Sequence, residues 1–233
     1  MTVFTLKIIA IISMVLDHIK YAIPATKCFA TEYLGRISFP IFAFLISEGF
    51  IHTHSRIKYM LRMLIFAIIS QIPFYIFAHY IVHSKAILNV MFTFEIALIG
   101  LYIIEYFKRN INGIYIIFQY FIIFIVLSSI LIISYYIHPD YGWYGVASVW
   151  VLYIFRKSKI LTTLFFSILT VLYYMSGKLD FFYNKNYFYV ISSLIPLVLF
   201  LFYNGKQGRK LKYFFYIFYP VHFIILYAIN YFL

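Results

Sequence analysis

The chain has 233 residues, 65% hydrophobic, 24% aromatic and only 11% charged, with a formal net charge of +12. Soluble domains carry about 25% charged residues, so a mean hydropathy of +0.93 excludes a soluble globule and implies a polytopic helical membrane protein. No polar interval is long enough to hold a second core, so the expected fold class is all-α, one integral-membrane domain over residues 1–233.

The basic excess lies in short loops between apolar runs, where it orients a chain in a bilayer and meets anionic headgroups. That placement does not point to nucleic acid. Cys28 is the single cysteine, which rules out an internal disulfide and a Cys-based metal cluster. Lys27 before it spoils a lipoprotein-type cleavage signal. Asp17 and His18 interrupt the apolar N-terminus and no clean A-x-A site follows, so this stretch reads as a retained first helix. Richness in Phe, Tyr, Ile, Lys and Asn suggests an AT-rich bacterial genome.

About 20 apolar residues are needed to cross a bilayer. That ruler predicts nine spans, at residues 4–24, 34–52, 59–80, 86–107, 113–136, 142–155, 160–176, 187–203 and 213–232. The sixth, opening at Gly142-Trp143-Tyr144-Gly145, is short; if it is re-entrant, eight full spans remain. The even loops carry Arg56, Lys58 and Arg62; Lys108 and Arg109; Arg156, Lys157 and Lys159; Lys206, Arg209, Lys210 and Lys212. The odd loops hold only Lys27, Lys85, Lys178 and Lys185. The alternation puts the even loops and the N-terminus in the cytoplasm. The expected location is a bacterial cytoplasmic membrane.

Within the first span, Val15-Leu16-Asp17-His18-Ile19-Lys20 places an acid, an imidazole and an ammonium where a charge costs roughly 2.5–3.5 kcal/mol or more. Asp17 and His18 are about 100° apart on a helix and do not face each other. In one reading Asp17 pairs with Lys20 and His18 is a packing residue. In the other, His18 is a general base whose orienting carboxylate comes from another helix or a rotated Asp17. At about 1.5 Å of rise per residue, His18 lies roughly 9 Å below the outer surface. Arg36 falls near the outside, snorkelling or joining the site, with Glu48 in the inner third and His52 at the cytoplasmic mouth. Twelve residues, about 18 Å of helix, separate Arg36 from Glu48, so they cannot both contact His18.

Pro40, in Gly35-Arg36-Ile37-Ser38-Phe39-Pro40, is expected to free backbone carbonyls in the second helix. Glu48 and His52 share a face at i,i+4 and suit a simple pair. His52-Thr53-His54 lacks a third ligand, and neither H-E-x-x-H nor G-x-S-x-G occurs, so no metal and no serine-hydrolase elbow are expected. Asn89 in the outer third, Thr93, Glu95 near the middle, and His222 in Tyr219-Pro220-Val221-His222 complete the polar set. No internal repeat of the transporter kind is visible.

Further matches gather on Leu6-Lys7, Asp17-His18, Gly35 through Leu45, Glu48-Gly49 and Ser70-Gln71-Ile72-Pro73-Phe74. They continue in Asn89-Val90-Met91-Phe92-Thr93, Asp140-Tyr141-Gly142, Asn204-Gly205-Lys206 and Tyr216 through His222. In these, spread over nearly the whole chain, the sequence resembles the TraX family, membrane proteins linked to N-terminal acetylation of conjugative pilin. The resemblance implies kinship with transmembrane acyltransferases that use a histidine near the outer end of an early helix, here His18. It implies acetyl-CoA drawn from the cytoplasm and an acceptor outside: a peptide, a glycan or a cell-wall component. Arg56, Lys58 and Arg62 would then hold the CoA phosphates, with Glu48 and His52 at the entrance. His18 would deprotonate an acceptor amine or hydroxyl, or carry the acetyl group itself, while Arg36, Asn89 or a backbone N–H stabilises the oxyanion. The competing readings are a proton-coupled transporter or channel, with the buried acids and histidines as relay, and a non-catalytic assembly factor.

Overall fold

The computed structural model describes residues 1–109, 116–176, 186–209 and 211–233. Helix α1 (Val3–Ala22) is capped by Thr2, whose hydroxyl accepts from the Thr5 amide. A short α2 (Phe29–Tyr33) leads through a 3-10 turn at Leu34–Ile37 into α3 (Ser38–His52). Ser55 caps α4 (Arg56–Phe77), which continues as a π-turn over Ala78–Val82 and stops at His83, with φ of 54°. Then come α5 (Val90–Arg109), α6 (Ile116–Ile137), α7 (Gly142–Ile154), α8 (Lys159–Met175), α9 (Asn186–Leu201) and α10 (Lys212–Phe232).

The long helices fall on the predicted spans, with one informative difference. The second span begins at Phe29 and is broken at Leu34–Ile37, ahead of Pro40. Pro40 is the third residue of α3, where its missing N–H has no partner within that helix to lose. The break itself depends on Gly35, where a Cβ would overlap the Cβ and a carboxylate oxygen of Asp17. Absence of a side chain lets the 3-10 turn lie directly against α1.

Among the described residues, five helical stretches are long and apolar enough to cross a bilayer: Phe29–His52, Arg56–Val82, Val90–Arg109, Ile116–Ile137 and Tyr213–Phe232. Helix α1 carries Lys7, Asp17 and Lys20 in its 20 residues, and α7, α8 and α9 are shorter. Helix α6 fully buries only Ile123 and Ser134, while Leu127, Ile130 and Leu131 rest half-buried against the core and most of the remainder is exposed. Helix α7 does the opposite: it is packed by α3, α5, α6 and α8, and most of it is buried. Its Trp150 donates to the Ala97 carbonyl at 2.9 Å, and its Tyr144 hydroxyl meets that of Thr170 at 3.2 Å. A helix of about 20 Å sits well in a core of protein, where it need not match the bilayer.

The basic loops gather at one end. Arg56, Lys108 and the Tyr153 hydroxyl converge on Glu105 at 3.4, 3.9 and 2.5 Å, joining the ends of α4, α5 and α7. The first residues of the chain hydrogen-bond the segment after α9, Val3 to Lys206 at 2.9 Å and Phe4 to Gln207 at 3.1 Å. At the opposite end, Ile87 pairs with His138 and Leu88 with Asp140. There Glu32 accepts from Tyr189, and Asn230 donates to Ala22. Lys178, Lys185 and Lys210, part of the predicted charge pattern, lie outside the described residues.

Candidate functional site

Two of the cavities among the described residues bear on the site. The one toward α2 and the α6–α7 connection has a volume of about 200 Å³ and is lined by Asp17, His18 and Tyr21 of α1, Arg36, Ser84, Asp140 and Tyr141, over apolar walls from α3, α4 and α10. The one toward the basic end is larger, about 730 Å³, and is lined by Lys7, Glu48, His52, His54, Lys58, Tyr59, Arg62 and Tyr203. Met14, Phe42, Val90, Phe94 and Tyr219 line both, so the two cavities share a wall.

On the smaller cavity, Asp17 accepts from Lys20 at 2.8 Å, the i,i+3 pair predicted for it. Arg36 does not snorkel outward. The break before α3 turns it toward α1, with Nε 3.7 Å from Asp17 and the guanidinium over the Tyr189 ring. That Nε is buried and makes no hydrogen bond. With Asp17 held by two cations, no carboxylate among the described residues bonds His18, contrary to the expectation above. The partner of His18 is His222: Nδ1 of the first lies 2.9 Å from Nε2 of the second, with the rings stacked. Phe77 and Phe223 flank His18 at centroid distances of 5.5 and 5.0 Å. His222 is buried and lies behind His18, outside the cavity lining. Its Nδ1 is 3.2 Å from the Phe218 carbonyl.

Asp140, in the connection between α6 and α7, is held by its backbone, which donates to Leu88 and accepts from Thr93 at 2.5 Å. Tyr141 and Gly142 follow with φ of 62° and 50°, swinging the chain back into α7. Removal from water pushes the Asp140 carboxyl up to about 7, Asp17 adding to the shift and Arg36 opposing it. Asp140 and Tyr141 were not singled out as site residues by hydropathy. The signal present was an acid in a loop whose side of the bundle carries few bases.

On the larger cavity, Glu48 accepts from Tyr203 at 2.9 Å and lies 3.4 Å from His52, so the expected i,i+4 pair is present and extended by a third residue. Lys58 and Arg62 line the space, and Lys7 joins them from α1, stacked over Phe215 at 4.6 Å. Arg56 does not line it: it is drawn to Glu105 and over the Phe50 ring. Asn89 is also elsewhere. Its amide donates to Ala67 and Gln71 and its oxygen accepts from the Met91 amide, so it fixes the entry to α5 and has no donor aimed at His18. Glu95 is buried outside both linings, with one oxygen unpartnered. Among the described residues, no group of three or more His, Cys, Asp or Glu side chains is arranged to hold a metal.

No solved structure matches this chain. A protein of Dichelobacter nodosus described as probable fimbrial assembly protein FimC, serogroup H1, is 30% identical over 250 residues, covering 96% of this chain and 93% of its own length. The family described as TraX protein matches residues 3–230, which takes in both cavities and every helix that lines them. The chain therefore belongs to the TraX family.

Proposed function

We propose that this protein is an integral-membrane acetyltransferase that takes acetyl-CoA from the cytoplasm and acetylates an amine or hydroxyl on the far side of the membrane. The observation that carries the reading is the pair of cavities that share a mostly apolar wall. One holds several cations suited to the phosphates of CoA, and the other holds an imidazole. Charge placement supports nine spans with the N-terminus and the larger cavity in the cytoplasm. Lys58, Arg62 and Lys7 attract the diphosphate as point charges and a fork donor. The pantetheine arm passes Met14 and Phe94 and brings the thioester to His18.

In the transfer step, the acceptor lone pair attacks the thioester carbonyl while His18 takes the acceptor proton. The C–S bond breaks, the thiolate leaves, and His18 returns the proton to it. The products are the acetylated acceptor and free CoA. Arg36, whose buried Nε makes no hydrogen bond, is suited to the developing oxyanion. A peptide N-terminus is the favoured acceptor, since the similar Dichelobacter protein is described as acting in fimbrial assembly.

The test is acetyl transfer from labelled acetyl-CoA to peptide acceptors by purified protein, wild type beside His18→Ala. Turnover should fall by at least about a hundredfold in the variant, while CoA binding persists. Turnover that survives the substitution would overturn the assignment of His18. A second reading, a proton-coupled transporter, draws on the wall that the two cavities share and on Glu95, whose buried Oε2 makes no hydrogen bond. Proton flux in liposomes, with no CoA binding, would favour it.

A further inference from the structure

His222 is the group that acyl transfer leaves unexplained: a buried imidazole, 204 residues from His18 in sequence, bonded to it and shut out of the cavity. A backbone carbonyl only accepts hydrogen bonds. The 3.2 Å contact between Nδ1 of His222 and the Phe218 oxygen therefore places the hydrogen of His222 on Nδ1. No carboxylate bonds either ring among the described residues, and an uncompensated charge inside the bundle is costly. The resting pair is thus uncharged, and each ring carries one N–H. Nε2 of His222 is then a bare acceptor. The 2.9 Å contact needs one hydrogen between its two nitrogens, and only Nδ1 of His18 can supply it. His18 has no second hydrogen left for Nε2.

Building on the acetyl-transfer reading, we propose that His222 is the positioning residue of His18, and that the relay Phe218 carbonyl–His222–His18 fixes the tautomer with Nε2 of His18 as the base. A ring nitrogen's state is set by the bond its other nitrogen makes. Here an imidazole backed by a carbonyl does what a carboxylate does elsewhere. Nε2 of His18 makes no hydrogen bond among the described residues, and His18 lines the cavity. Register between the two parallel helices is held at both ends. Lys7 stacks over Phe215 near their starts, and Asn230 donates to the Ala22 carbonyl near their ends at 2.9 Å. The acceptor's proton arrives on Nε2, and the resulting cation keeps its Nδ1–H bond to His222, strengthened by charge.

Two readouts test this. Nitrogen-15 NMR of histidine-labelled protein in nanodiscs, assigned by loss of the His18→Gln signal, should show His18 protonated at Nδ1 and bare at Nε2. His222→Phe keeps the ring stack and removes both nitrogens. It should shift His18 toward the Nε2–H form and lower kcat about a hundredfold with KM for acetyl-CoA unchanged. His222→Gln, which keeps an acceptor near the lost Nε2, should recover activity to within about tenfold of wild type. A wild-type His18 carrying its hydrogen on Nε2 overturns the proposal, as does a His222→Phe protein with unaltered tautomer and kcat. Should wild type transfer no acetyl group at all, the enzymatic reading fails, and the wild-type spectrum still decides the relay.

Discussion

Asp140 shows how one residue couples the smaller cavity to stability. Its carboxyl is raised to about 7 from an ordinary 3.8, first by loss of water and then by Asp17. Between those values the folded chain keeps a proton that the unfolded chain has released. Stability therefore declines as pH rises through that window, and the penalty is complete above about 7. Asp140→Asn cannot ionise. Its thermal midpoint should lie above that of wild type at about pH 8, and the gap should narrow on going down to about pH 4. A constant difference across that range would show that the Asp140 side chain does not titrate as described. Arg36 is complementary. It offsets part of this penalty while its second neighbour, Asp17, is already satisfied by Lys20.

Among elements, the 3-10 turn between α2 and α3 does most to shape the site. It aims Arg36 inward and sets the close approach to α1, and both depend on one missing side chain at Gly35. Gly35→Ala forces a Cβ against the Asp17 backbone and carboxylate, an overpacking that typically costs about 1–3 kcal/mol. The variant should unfold at lower temperature in detergent and separate Asp17 from Arg36. An unchanged midpoint would mean that α1 and the turn can part without loss. Proline predicts little here by itself: Pro40 sits harmlessly in a first turn, while Pro73, Pro196 and Pro220 are carried inside α4, α9 and α10. Helix α7 supplies the backing on which α5 rests, through Trp150 and its bond to Ala97.

For the whole molecule, sidedness is the property to measure, and the chain carries its own probe. Cys28 is its single cysteine, exposed in the connection between α1 and α2, at the end opposite the basic loops. With the N-terminus in the cytoplasm, a membrane-impermeant maleimide applied to intact spheroplasts should label Cys28 without lysis. Labelling that requires lysis would invert the orientation, and with it the proposed direction of acetyl transfer. The larger cavity opens among the loops rich in Lys and Arg, so the two assignments stand or fall together.

Much of this architecture is local in origin and was readable along the chain. Hydropathy marks each long helix because a lipid-facing segment such as α6 must be apolar over its whole length. Loop charge marks which ends belong together because each Lys or Arg resists translocation on its own account. The Asp17–Lys20 and Glu48–His52 pairs follow from helical spacing, one turn apart. Partners chosen between helices were not readable, since they depend on rotation and register that no local pattern encodes. Arg56 had Glu105 within reach and left the cavity, and Asn89 was absorbed by backbone groups of α4 and α5. By itself the sequence determined the helices, their polarity and a histidine too costly to be casual. Only the tertiary structure decided that this histidine faces His222, because packing of α1 beside α10 brings together two rings that the chain separates by 204 residues.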